Sequence, residues 1–226
     1  GNHEFDYGID RFYELVDMAE FDVISSNFVS LETDSTVLDG TTIIEADGVK
    51  VGLVGISTPE TLSKATPAYF QNDDGEYIYS FCYDSSGEAL YSAVQSAVDE
   101  VIAQGAECVV AIGHLGIDLS STPWTSYEVI ANTSGIDIFI DGHSHSVIEG
   151  EPVIAEDGEE VLLSSTGTKL RNIGAVTITD TDISAQLVST EEYSVTEDTS
   201  SEEYKAYLSA VEYIDGIESE FNELIE

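Results

Sequence analysis

Two strongly apolar runs constrain this chain more than any other feature. Cys108-Val109-Val110-Ala111-Ile112 offers water almost nothing on either side, and Ile136-Asp137-Ile138-Phe139-Ile140 is apolar but for Asp137. As strands they must be covered on both faces, which points to a sheet sandwiched between other layers rather than an open antiparallel sheet. Before the first run, Leu90, Val94, Ala97, Val98, Val101 and Ile102 recur at helical spacing, and Gly105 closes the helix. The chain therefore alternates helix and buried strand through its middle, the pattern of an α/β fold.

The flanking regions are read in the same way. Ile9, Phe12, Tyr13, Val16 and Ala19 predict a helix, followed by a short strand over Asp22 to Ser25. Thr42 to Glu45 and Val49 to Ile56 read as a hairpin turning at Asp47-Gly48. Residues 60 to 87 form a long polar and aromatic connection, a candidate for facing a substrate. After residue 150 only strands are expected: Val153 to Ala155 pairs with Val161 to Ser164, and Ile173 to Thr179 and Ile183 to Val188 follow. A last helix carries Tyr204, Leu208, Val211, Ile214, Ile217, Phe221 and Ile225, with Gly216 as a point for a kink or break.

All four histidines lie at strand ends or beside glycines: His3 in Gly1-Asn2-His3-Glu4, His114 after Gly113, and His143 with His145 in Gly142-His143-Ser144-His145. Ligands at the carboxyl ends of parallel strands converge on one crevice. A preceding glycine lets the chain turn without a Cβ clash. Imidazoles with amide or carboxylate oxygens suit Mn, Zn, Fe or Co better than a thiolate-seeking ion. Cys82 and Cys108 fit no zinc-ligand spacing and make no disulfide framework; Cys108 reads as a small buried hydrophobe. A nucleophile-elbow sequence is absent, which disfavours a serine hydrolase.

Charge narrows the partners. Six Lys+Arg against 45 Asp+Glu give a formal net charge of -39, which repels nucleic-acid backbones and anionic membranes. No stretch approaches the ~18 apolar residues of a membrane span. A phosphate substrate would be repelled too, unless bound divalent cations supply the local positive charge that six basic side chains do not.

The strings Gly1-Asn2-His3-Glu4-Phe5-Asp6-Tyr7-Gly8, Gly113-His114-Leu115-Gly116 and Asp141-Gly142-His143-Ser144-His145 resemble the later motifs of calcineurin-like metallophosphoesterases. The first string, with Ser57-Thr58-Pro59-Glu60-Thr61, is similar to the branch of 5′-nucleotidases, UDP-sugar hydrolases and 2′,3′-cyclic-nucleotide phosphodiesterases. The resemblance implies a sandwich of two mixed β-sheets flanked by helices, with its first strands missing and the strand-only region after residue 150 forming part of the second sheet. It implies two divalent ions, with Mn, Zn, Co, Fe and Mg not distinguished. It gives Asn2, His114 and His143 to one ion and His145 to the other. His3 becomes the catalytic histidine, oriented by Asp6, although Asp6 reads equally as a first-turn acid favoured by the helix dipole. Asn27 matches a position near the substrate, although an Asn after a strand is commonly a turn former.

The resemblance also implies what lies outside the chain. The family's Asp-x-His and Gly-Asp motifs precede Gly1, so the chain is expected to be inactive or nearly so by itself. Residues 1–199 are read as the metallophosphoesterase domain and 200–226 as a connector helix toward a C-terminal nucleotide-binding domain. Only Lys169 and Arg171 offer positive charge beside the later strands. The implied function is metal-dependent hydrolysis of nucleotide phosphoesters by an extracytoplasmic enzyme. The alternatives are a cyclic-nucleotide phosphodiesterase, a UDP-sugar hydrolase, or a non-catalytic binding module.

Overall fold

The computed structural model describes residues 1–179, 182–192 and 198–225. A short 3-10 turn at Asn2–Phe5 leads into α1 (Ile9–Met18). Two-residue strands β1 (Val29–Ser30) and β2 (Ser35–Thr36) precede the hairpin β3 (Thr41–Ala46) and β4 (Val49–Ser57). Next come α2 (Thr61–Lys64), β5 (Tyr79–Ser80), α3 (Glu88–Ala103), β6 (Cys108–His114), α4 (Ser126–Ala131) and β7 (Ile138–Asp141). Then follow β8 (Val147–Ile154), β9 (Glu160–Thr166), β10 (Asn172–Ile178), β11 (Ile183–Ser189) and α5 (Glu202–Ile225). The chain divides into two compact units, Gly1–Val188 and Ser189–Glu226. In the second unit α5 runs through Gly216 without interruption.

The main sheet has six strands in the order β3-β4-β6-β7-β9-β8. Strands β4, β6, β7 and β9 are parallel, and β3 and β8 close the edges antiparallel. The two apolar runs sit at its centre and are buried on both faces through Ala111 and Phe139, while Ile112 and Ile140 near their carboxyl ends are 43% and 36% exposed. Val109, Ala111 and Phe139 face Leu90, Val94, Val98 and Val101 of α3. Cys108, Val110 and Ile138 face the opposite way, toward Val176 of β10 and Ile183 of β11. Strands β10 and β11 form a separate two-stranded sheet. Both cysteines are free thiols, and burial raises each to a pKa of about 11.

Several expectations are corrected. The strand-only region after residue 150 divides between the sheets: β8 and β9 extend the main sheet, and only β10 and β11 form the second. The strand over Asp22 to Ser25 does not form. Strand β3 already occupies that edge of β4 up to Val54, so the segment meets β4 only beyond it: the Ser26 amide and hydroxyl both donate to the Gly55 carbonyl at 2.8 Å, and Ser25 Oγ lies 2.9 Å from Ser57 Oγ. Residues 60 to 87, read as a connection too long for an ordinary loop, contain α2, a 3-10 turn at Pro67–Phe70 and β5. The hairpin turn is as expected, with Asp47 at φ 52 and Gly48 at φ 85, the positive pair a tight two-residue connection requires.

A third cluster anchors the N-terminal turn. Phe5 stacks on Phe12 at 4.5 Å and meets Phe28, Phe70 and Phe81 edge-on at 5.3, 5.3 and 5.4 Å. Phe28, Phe70 and Phe81 are each 0–1% exposed. Such ring pairs add about 0.5–1.5 kcal/mol each beyond the area they bury. The turn carrying Asn2 and His3 is therefore held from below by aromatic packing rather than by a helix cap.

Candidate metal centre

Strands β6 and β7 are parallel neighbours, so their carboxyl ends deliver His114 and Asp141-Gly142-His143 side by side. The His114 and His143 rings lie 5.1 Å apart, centroid to centroid. Asn2 comes to them from the N-terminal turn and is buried at 3% exposure. Its Oδ1 stands 3.1 Å from His114 Nε2 and 3.2 Å from His143 Nδ1. Asn2, His3, Lys64, His114, His143 and His145 line one cavity of about 200 Å³.

The glycines act differently from the turn role expected of them. Neither Gly113 nor Gly142 has a positive φ; the left-handed conformations fall on His143, at φ 78, and His145, at φ 57. The glycines serve close approach instead. A Cβ on Gly113 would lie 2.4 Å from the Phe139 ring, and one on Gly142 would lie 3.0 Å from His114 Nδ1. Backbone strain therefore sits on the histidines themselves, at a cost of about 1–3 kcal/mol each.

Asp141 ties the site together. Its Oδ1 accepts from the amides of Leu115 and Gly116 at 2.9 and 3.3 Å, and its Oδ2 accepts from Ser126 Oγ at 2.9 Å. It thereby fastens the loop after His114 to the end of β7 and to the start of α4. Burial raises its pKa, opposed by these hydrogen bonds. Burial also lowers the His114 pKa to about 4, assisted by the neighbouring His143. His114 is thus neutral near pH 7, the form that offers a nitrogen lone pair to a cation.

The remaining site residues separate into two groups. His3 and Asp6 pair at 2.8 Å, Nδ1 to Oδ2, and the His3 side chain is 77% exposed. His145 reaches the same cavity from an exposed position. Asn27 requires a correction: it is fully buried and its amide is spent inside the protein. Nδ2 donates to the carbonyls of Ser57 and Phe81 at 2.7 and 3.0 Å, while Oδ1 accepts from the Ser57 amide at 2.9 Å. The side chain clips the end of β4 in place and has no group left for a substrate.

Among the described residues no group of three His, Cys, Asp or Glu side chains is placed to hold a metal. The third donor of the cluster is an amide oxygen. Two ligands at ~2.0–2.2 Å from one ion, at angles near 90–110°, stand about 2.8–3.6 Å apart. The separations of 3.1 and 3.2 Å from Asn2 Oδ1 fall within that spacing, so each of the two histidine nitrogens is spaced to share an ion with that oxygen. His3 and His145 are the further imidazoles lining this cavity.

No protein-family model matches the chain. Its homologues are 5′-nucleotidases, cyclic-nucleotide phosphodiesterases and calcineurin-like phosphoesterases, all hydrolases of phosphoester bonds. It is 26% identical over 159 residues to the trifunctional nucleotide phosphoesterase protein YfkN of Bacillus subtilis, covering 65% of this chain and 10% of that protein. It is 25% identical over 177 residues to the 2′,3′-cyclic-nucleotide 2′-phosphodiesterase/3′-nucleotidase of Salmonella typhimurium, covering 71% of this chain and 25% of that one. It is 28% identical over 156 residues to a 5′-nucleotidase of Diplobatis ommata, covering 66% and 23%. The chain thus spans a quarter or less of these relatives. The fold is that of a 5′-nucleotidase precursor from Thermus thermophilus (TM-score 0.70, 21% identity, 97% of this chain and 42% of that one). The calcineurin-like phosphoesterase YfkN structure is similar (TM-score 0.67, 20% identity, 95% and 70%).

Proposed function

We propose that this chain, with the fold of the calcineurin-like phosphoesterases, forms the histidine-bearing part of a metal-dependent nucleotide phosphoesterase with 5′-nucleotidase-like chemistry. The observation that carries the reading is that Asn2 Oδ1 stands 3.1 Å from His114 Nε2 and 3.2 Å from His143 Nδ1, with His3, itself paired with Asp6, lining the same cavity. Asn2, His114 and His143 would hold one divalent ion, and His145 would contribute to a second. Bound there, the ions would supply positive charge to the phosphoryl oxygens and a water acidic enough to attack phosphorus at neutral pH.

The protein's own groups do the rest. His3 is open to the cavity and would give a proton to the leaving oxygen, or stabilise the charge developing there. Asp6 accepts from His3 Nδ1 and so directs the other ring nitrogen, Nε2, outward. Lys64 lines the same cavity and puts one of the six basic residues of the chain where an anionic substrate would arrive. Nitrogen and oxygen donors suit Mn, Zn, Co, Fe or Mg. Residues 200–226 would serve as a connector toward a nucleotide-binding domain, and the acidic surface suits an extracytoplasmic setting.

The test is a substrate panel on a protein containing this segment: AMP, 2′,3′-cyclic AMP and UDP-glucose, each with added Mn²⁺ or with chelator. Chelator-sensitive release of phosphate from AMP is expected. Faster turnover of the cyclic ester or the nucleotide sugar would move the substrate assignment, and no turnover of any would leave a binding module.

A further inference from the structure

The His143 ring is held at both ends. Nδ1 faces Asn2 Oδ1 at 3.2 Å, and Nε2 faces Glu60 Oε2 at 3.1 Å. Glu60 is largely buried, with its side chain 14% exposed, and the His143 side chain is 15% exposed. The same Oε2 accepts a hydrogen bond from Ser121 Oγ at 2.7 Å. Lys64 Nζ lies 4.0 Å from the other carboxylate oxygen.

The backbone of Glu60 is fixed as firmly as its side chain. Its amide donates to Thr58 Oγ1 at 3.2 Å, and its carbonyl accepts from the amides of Ser63 and Lys64 at 2.9 and 2.7 Å. Thr58 and Thr61 on either side are fully buried, and Thr61 Oγ1 donates to the Thr58 carbonyl at 2.7 Å. This turn sits directly after β4, whose last residue, Ser57, pairs with His114 of β6. The carboxylate is therefore carried by the scaffold that carries the histidines, not by a mobile loop.

A carboxylate only accepts hydrogen bonds, so a neutral His143 must carry its proton on Nε2 to pair with Glu60. Nδ1 then presents a lone pair toward the Asn2 carbonyl oxygen, which is also an acceptor. Two acceptors 3.2 Å apart repel unless something positive lies between or beside them. An imidazole fixed by a carboxylate on one nitrogen and open on the other is the arrangement that orients histidine ligands and raises their basicity.

We infer that Glu60 is a positioning residue: it locks His143 as the Nε2–H tautomer and aims Nδ1, rather than Nε2, at the cation held with Asn2 and His114. The inference rests on the metal-site reading above, but the tautomer can be measured without metal. Ser121 supports Glu60 by saturating the same oxygen from the far side.

The experiment uses the full chain with ¹⁵N-labelled histidine. In metal-free wild type, at a pH where the ring is neutral, the His143 ring should show the Nε2–H pattern, with Nδ1 unprotonated. Glu60→Ala should give a mixture of tautomers, and Glu60→Gln, whose amide can donate as well as accept, should admit the Nδ1–H form that the carboxylate excludes. Co²⁺ affinity should fall about 10–100-fold in Glu60→Ala. An Nδ1–H ring in wild type, or the same tautomer in wild type and Glu60→Ala, would overturn the inference. If Glu60→Ala does not fold, Glu60→Gln decides alone, because a purely Nε2–H ring there also overturns it. A Glu60-dependent tautomer in a chain that takes up no Co²⁺ at these rings would keep the positioning role and remove the metal-site reading.

Discussion

Asn2 and His114 are 112 residues apart in sequence and meet at 3.1 Å. Neither reaches the other by local structure. His114 is delivered by the parallel register of β6 between β4 and β7, and Asn2 by the aromatic cluster under Phe5. The cavity therefore depends on two separate pieces of packing.

Phe5→Ala should expose that dependence. Removing a ring that contacts Phe12, Phe28, Phe70 and Phe81 leaves a cavity among buried aromatics and should cost about 3–5 kcal/mol. Urea denaturation measures the loss. The His114 ring resonances should shift in the folded variant, because Asn2 rides on the same turn.

Asp141→Ala should cost about 3 kcal/mol, since two amides and the Ser126 hydroxyl lose a buried acceptor. Asp141→Asn retains an oxygen for the amides and should cost less. Hydrogen exchange at Leu115 and Gly116 should accelerate in the alanine variant while exchange in α3 is unchanged.

Acid should destabilise the fold through His114. Its folded pKa, about 4, lies below the ordinary 6.5, so the unfolded chain takes up a proton that the folded chain refuses. Stability linked to this group is complete above pH 6.5 and falls as pH drops from 6.5 toward 4. Urea midpoints across that range should decline less steeply in His114→Asn than in wild type.

His3→Ala should separate catalysis from metal holding. In an active protein containing this segment, kcat should fall about 10²–10⁴-fold with divalent-ion affinity little changed. Asp6→Asn should give a smaller loss, because the amide still accepts from His3 Nδ1. Steady-state kinetics alongside a metal titration would check both.

The centre of the fold is legible in the sequence because apolar runs such as Cys108 to Ile112 admit one environment, and each runs toward a histidine. The positions of the histidines follow from that. Glu60 and Asp141 fall inside strings that stand out in the sequence, but their supporting roles are not legible there; those arise from contacts with Ser121, Ser126 and His143 across the fold. Asn27 reads as a residue near the substrate, yet its bonds to Ser57 and Phe81 bury it. The six-residue α4 is too short to give a periodic stripe. The glycines before His114 and His143 are legible as necessary, but the reason is close packing against Phe139 and His114 rather than a turn.

The central claim is that Asn2, His114 and His143 hold a divalent ion. A net charge of -39 will gather cations anywhere on the surface, so bulk uptake is a poor test. The direct measurement is NMR of the histidine rings during titration with paramagnetic Co²⁺ at high salt. The account predicts that His114 and His143 shift or broaden first, at substoichiometric metal, and that His143→Ala abolishes the effect at His114. Rings that keep their diamagnetic shifts while Co²⁺ binds elsewhere would contradict it.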